Sequence, residues 1–322
     1  MTPDPSIHRG PDLDLHIQTP LIQSPILSAG QQEVWLKMEA FQPSGSFKIR
    51  GIGRACTTYA QRGAARFVAA SGGNAGIAVA YAGRALSIPV VTVVPQTTSV
   101  KACDILRLYG AEVIIAGANF NEANRFAQSL LRPTDAFIHP FDDPHLWSGH
   151  ASMVDEIKAS NIRPDAIVLS VGGGGLLAGV AEGLNRQGWG HIPIIATETY
   201  GAASLHASLQ AGKLTSLEEV ATLATSLAAK QICGQAWEVC QTNKVISARV
   251  SDAQAVKACE AFLEDHRVLV EPACGASLAL AYSRANELAD LRKIVIIVCG
   301  GATMSPQMMA TWLEQTSSAR CD

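Results

Sequence analysis

Charge is scarce in this chain: only 16% of its 322 residues are Asp, Glu, Lys or Arg, and the formal net charge is −3. No basic run is long enough to track a nucleic-acid backbone or hold an anionic membrane, which excludes both as partners. No apolar stretch approaches the ~18 residues that a spanning helix needs. Residues 1–14 are polar and proline-bearing rather than charged and then apolar, so no secretory signal is expected. Cysteine is present but unpatterned: Cys56, Cys103, Cys233, Cys240, Cys259, Cys274, Cys299 and Cys321 include no C-x-x-C. In a chain of this size without a signal, that usage points to reduced thiols and a cytoplasmic location, not to a disulfide framework or a zinc site. No Gly/Ser linker marks a domain boundary, and there is no internal repeat or low-complexity segment.

What the chain has is apolar residues, 48% of the total, over a length sufficient for two domains and a large core. Short apolar runs recur at residues 67–70, 90–94, 113–116, 167–171, 192–196 and 294–298, and helical patterns separate them. Near-continuous apolar strands alternating with helices predict an α/β architecture whose parallel sheets are covered on both faces.

Against this background four short segments stand out. Lys48 sits in Pro43-Ser44-Gly45-Ser46-Phe47-Lys48-Ile49-Arg50-Gly51, where small turn-forming residues let a ligand approach the backbone and Phe47 offers a flat face. A lone lysine is ordinarily a solvated surface charge, so its context matters. Ser170-Val171-Gly172-Gly173-Gly174-Gly175-Leu176 follows an apolar run and opens a helical stretch. Such a strand, turn and helix exposes backbone N–H groups where a helix N-terminus favours phosphate; it also reads as a plain flexible connection. Ser71-Gly72-Gly73-Asn74-Ala75-Gly76 is a similar turn whose amides, hydroxyl and carboxamide suit a small carboxylate, and Asn74 there also reads as a helix N-cap. Finally, Cys299 ends the last apolar run, at the strand end where open α/β sheets bind ligands. Taken alone it is a small buried hydrophobe.

Taken together and in this order, the segments PSGSFKIRG, SGGNAG, FDDPHLWSGHAS, SVGGGGLLAGV, IPIIATET, EPACGAS and VCGGA resemble the fold type II pyridoxal phosphate enzymes, most closely the L-serine and L-threonine dehydratase (ammonia-lyase) group. The resemblance covers residues 20–304. It implies two three-layer domains with mostly parallel sheets flanked by helices, a small domain over residues 41–143 and a large cofactor-binding domain from residues 1–40 and 144–322. It implies Lys48 as the Schiff-base lysine, Phe47 against the pyridine ring, and Gly172, Gly173, Gly174, Gly175 and Leu176 as the phosphate cradle. Cys299 would face the ring nitrogen. Ser71, Gly72, Gly73, Asn74 and Ala75 would hold the substrate carboxylate, with Asn74 also near the ring hydroxyl. A monovalent cation, potassium, would be held by Glu198 and by carbonyls of Ala202, Leu227 and Ala229, oxygen ligands that suit a hard ion. A homodimer is also implied.

The expected chemistry is elimination of water from L-serine or L-threonine, with a 2-oxo acid and ammonia as products and a role in amino-acid catabolism. Pyridoxal phosphate draws electrons from the substrate α-carbon, and a desolvated Lys48 serves as base. The acid that assists hydroxide departure is either the cofactor phosphate or Ser71. Ala75 stands where serine racemases and the related threonine dehydratases tend to carry histidine, which favours a serine dehydratase. Gly72 stands where some relatives carry alanine, leaving more room. The chain ends soon after Cys299, so no regulatory domain is expected. Three alternatives remain: racemase or β-replacement on the same scaffold, an idle relative that only binds, and a nicotinamide-dependent dehydrogenase, since Gly173–Ala178 fits G-x-G-x-x-A and Glu198 follows on the next strand.

Overall fold

The structure is a computed structural model that describes residues 14–318. The segment read for a signal and Cys321 lie outside the described residues, apart from Asp14. A first pair of strands, β1 (Leu21–Gln23) and β2 (Glu33–Lys37), leads to helix α1 (Lys48–Gln61). Then follow β3 (Arg66–Ala69), α2 (Asn74–Leu86), β4 (Val90–Val94), α3 (Val100–Leu108), β5 (Glu112–Ile115), α4 (Phe120–Ser129) and β6 (Asp135–Phe137). The second half runs through α5 (Pro144–Ala159), β7 (Ala166–Ser170), α6 (Gly175–Arg186), β8 (Ile194–Thr199), α7 (Ser204–Ala211), α8 (Gly234–Thr242) and β9 (Val245–Val250). It closes with α9 (Asp252–His266), α10 (Pro272–Tyr282), β10 (Lys293–Ile297) and α11 (Pro306–Ser318).

Two sheets result. The larger has the order β1-β2-β10-β7-β8-β9 and is parallel except for β1, whereas the smaller, β5-β4-β3-β6, is parallel throughout. Strands β4, β7 and β8 are buried along their whole length, which is the signature of strands covered by helices on both faces. Each of the six expected apolar runs overlaps a strand. The expected pattern missed β1, β2, β6 and β9: β2 carries charge at both ends, and Lys37 there is 1% exposed because its ammonium reaches the Thr19 carbonyl and Glu156. No helix among the described residues is long and apolar enough to cross a membrane.

A buried charge cluster ties these parts together. The Arg50 guanidinium donates to both oxygens of Glu39 at 2.7 and 2.8 Å and to both oxygens of Glu156 at 2.7 and 2.8 Å. Ser152, Thr19 and the Ile17 carbonyl complete its shell, and Thr19 itself donates to Glu39 at 2.6 Å. Burial alone would weaken the arginine's charge, but the two carboxylates outweigh it and hold the guanidinium pKa above its ordinary value. The cluster therefore joins the N-terminal segment, β2, α1 and α5.

Helices α1 and α5 cross at glycine. A Cβ on Gly51 would lie 2.6 Å from both the Leu146 carbonyl oxygen and His150 Cε1, and one on Gly149 would lie 2.3 Å from the Arg50 carbonyl oxygen. Such distances leave no room for a methyl group, so Gly51→Ala forces the helices apart. The expected cost is about 1–3 kcal/mol. It is checked by the urea midpoint, and an unchanged midpoint would contradict this packing.

Candidate active site

Lys48 is the first residue of α1, and its approach is fixed by contacts from the far end of the sequence. Gly45 turns with φ +78° and its carbonyl accepts from the Gly301 amide at 3.0 Å, while the Phe47 amide donates to the Cys299 carbonyl at 3.0 Å. The Lys48 ammonium donates to the Pro140 carbonyl at 2.7 Å and lies 5.2 Å from the Phe47 ring centre. Burial lowers its pKa to about 8, against the opposing pull of nearby Cys299, Glu271 and Cys233. A lysine so placed has a usable share of free amine near neutrality.

The glycine turn follows β7 as expected, and α6 begins at Gly175. Gly174 has φ +89°, and a Cβ on Gly173 would strike the Phe141 ring at 2.3 Å. Phe141 thus packs directly on the turn. The amides of Gly172, Gly173 and Gly174 meet no acceptor among the described residues, and those of the first helical turn lack partners by geometry. The hydroxyls of Ser46 and Ser170 are likewise buried without partners.

Helix α2 starts at Asn74 itself, with Gly73 in the capping position and no side-chain cap. The N-cap reading of Asn74 is therefore corrected. Its carboxamide is held from three sides: the nitrogen donates to Glu271 Oε1 at 2.8 Å and Ser226 Oγ at 3.4 Å, and the oxygen accepts from the Ala302 amide at 2.9 Å. Ser71 Oγ accepts from the Gly73 amide at 3.3 Å. A Cβ on Gly72 would meet Thr98 Cγ2 at 2.4 Å.

These contacts close into a ring. Lys48 touches Pro140, Phe141 packs on Gly173, Gly172 lies against Ser226 and Leu227, Ser226 meets Asn74, and Glu271 with Ala302 leads back to Gly45 and Phe47. Lys48, the uncapped starts of α2 and α6, and Cys299 thus share one site. A profile described as "Pyridoxal-phosphate dependent enzyme" matches residues 13–300. The chain belongs to this pyridoxal-phosphate dependent enzyme family.

Relatives agree with this assignment. The chain is 46% identical to "L-serine dehydratase/L-threonine deaminase" of Homo sapiens, with 94% of this chain and 95% of that protein covered. It is 42% identical to "L-serine dehydratase" of Dictyostelium discoideum over 89% of this chain and 88% of the relative. A solved fungal L-serine ammonia-lyase from Rhizomucor miehei superposes with a TM-score of 0.90 at 36% identity, covering 94% of this chain and 99% of that one.

The residues present fit the cofactor of this pyridoxal-phosphate dependent enzyme. An amine near neutrality suits its aldehyde, and unsatisfied amides at a helix start suit its phosphate. Cys299 stays a thiol: its contact with Cys274 and its burial push its pKa well above the ordinary value. The family match sets aside the dehydrogenase alternative; both Glu198 oxygens accept amides from the start of α7, Leu205 and His206, each at 2.8 Å. Burial raises Glu198 to about 7 despite those bonds. No group of three or more His, Cys, Asp or Glu among the described residues could hold a metal ion; carbonyl ligation by Ala202, Leu227 and Ala229 is a different arrangement.

Two functional neighbours escaped the sequence reading. Glu271 is buried at the start of α10, and burial raises it to about 7 in spite of bonds from Ser226 and Asn74 and the nearby Lys48 charge. Its signal was an acid directly before a helix-opening proline, Pro272. His150 on α5 lies behind Phe47, ring centres 5.0 Å apart, buried and with both ring nitrogens unpartnered among the described residues. Burial, then Lys48 and Arg50, drive its pKa well below 6.5.

A folded state that refuses a proton loses stability where the unfolded chain accepts one. His150 therefore costs nothing above pH 6.5, and below it stability falls by about 1.4 kcal/mol per pH unit. Urea titrations between pH 7.5 and 5.5 should show a shallower fall for His150→Met. An unchanged slope would remove His150 from the acid response.

Proposed function

We propose that this chain is an ammonia-lyase that removes water from L-serine, and from L-threonine, to give pyruvate or 2-oxobutanoate and ammonia. The observation that carries the reading is the Lys48 amine, lowered to about 8, at the meeting point of two uncapped helix starts. The names of the relatives support the substrate class.

The bound cofactor would supply an electron sink for the substrate α-carbon. Lys48 would have two tasks: it would hold the cofactor through its aldehyde, and as a free amine it would take the substrate α-proton. The amides of Gly172–Leu176 would hold the phosphate, Phe47 would pack against the ring, and Cys299 would face the ring nitrogen as a neutral thiol. Gly72, Gly73, Asn74 and Ala75 would bind the substrate carboxylate at the start of α2, where the helix end favours an anion. Ser71 belongs to the same carboxylate loop, and either its hydroxyl or the cofactor phosphate would assist departure of the β-hydroxide. Loss of the proton and hydroxide removes water, and hydrolysis of the released enamine restores it, so the sum is serine to pyruvate and ammonia.

We also place potassium near the phosphate loop, on Glu198 and the Ala202, Leu227 and Ala229 carbonyls, and assign a small domain over residues 41–143. A homodimer in the cytoplasm serving amino-acid catabolism belongs to the same proposal. The purified protein should show a visible imine absorption band and form pyruvate from L-serine, and Lys48→Ala should lose both. A band without pyruvate would reject the elimination, with D-serine or sulfide-dependent products identifying a racemase or a synthase instead.

A further inference from the structure

Pro140 and Phe141 make two of the contacts that define the site, yet both lie in a turn with no helix or strand to hold them. His139 holds it. Its Nδ1 accepts the Asp142 amide at 2.8 Å and the Phe141 amide at 3.3 Å. A nitrogen that accepts two amides carries no proton, so the proton resides on Nε2. The ring stands edge-on to Phe141, centres 4.7 Å apart, and packs against Phe137 at 6.3 Å. From this turn the Pro140 carbonyl reaches Lys48 at 2.7 Å, and the Phe141 ring presses on Gly173 while its backbone abuts Gly175.

We propose that His139, as the neutral Nε2–H tautomer, is a positioning residue that aims the Pro140 carbonyl at Lys48 and seats Phe141 on the glycine turn, and that protonating it releases both. The inference rests on the pyridoxal phosphate reading above. The charged groups facing the ring are Asp142 and Asp143, which favour protonation, and Lys48, which opposes it; burial opposes it most, so the net pKa is lowered. The hold is therefore complete above pH 6.5 and is lost as the pH falls through the lowered value.

Two variants separate this from a merely structural ring. His139→Asn keeps an acceptor in the place of Nδ1 but cannot be protonated, whereas His139→Leu keeps bulk and removes the acceptor. Two quantities are measured on the full chain: the pH dependence of Lys48 acylation without cofactor, read by mass spectrometry, and the dissociation constant for pyridoxal phosphate. At pH 8 the Leu variant should bind the cofactor about tenfold more weakly and acylate at Lys48 about tenfold faster, the effect of losing a buried hydrogen bond, while the Asn variant stays within about threefold of the unmutated protein. As the pH is lowered from 6.5 through the depressed His139 value, the unmutated protein should move toward the Leu variant and the Asn variant should not. Equal behaviour of all three, or an Asn variant as impaired as Leu, overturns the proposal. A Leu variant with a collapsed melting transition leaves the Asn variant's pH profile to decide. Should the unmutated protein form no imine band, the functional reading fails while Lys48 acylation still decides the role of His139.

Discussion

Everything in this active site hangs on one buried guanidinium. Arg50 lies two residues beyond Lys48 on α1, and its four hydrogen bonds to Glu39 and Glu156 lock the start of that helix against the turn that follows β2 and the last turn of α5. Such a cluster adds little net stability over well-packed hydrophobic residues, but leaving one member unpaired costs several kcal/mol. Its value here is positional. Planar, bidentate pairing on two edges permits one orientation of the arginine, and hence one placement of the lysine one half-turn before it.

From that fixed point the electrostatic character of the site follows. Parallel strands deliver the starts of α2 and α6 to the same end of their sheets, so two fields of unpaired amides face inward. The negative charge present is held back: Glu271 is raised toward neutrality, Glu198 is occupied by α7, and Cys299 remains a thiol. The result is a cleft built for anions, with one amine on the verge of losing its proton. Under the proposed function, a dianionic phosphate and an amino-acid carboxylate would each find donors already arranged, with little reorganisation needed at the moment of binding.

Much of this was legible in the sequence because it is local. The glycine turn, the Ser71–Gly76 turn and Lys48 each announce themselves within a few residues, and the buried strands show as apolar runs. What was not legible depends on partners far apart in the chain. Asn74 reads as a cap until Glu271 and Ala302 are seen to claim its carboxamide. Strand β2 is masked by Lys37, whose burial makes sense only with Glu156 in place. His139, His150 and Arg50 look like ordinary polar residues, since nothing nearby in sequence reveals that His150 and Arg50 are enclosed or that His139 holds a turn.

The seam between Gly45–Phe47 and Cys299–Gly301 also governs when the site comes into being. Strand β10 sits between β2 and β7 in the middle of the larger sheet, so the N-terminal strand waits for a neighbour more than 250 residues later in the chain. Contacts of such separation form late and slowly. During synthesis the lysine is made early, but its surroundings are assembled only when the final strand inserts. A cofactor held at this seam would be captured only by chains in which the final strand has inserted, and a chain lacking it would carry the lysine without its surroundings.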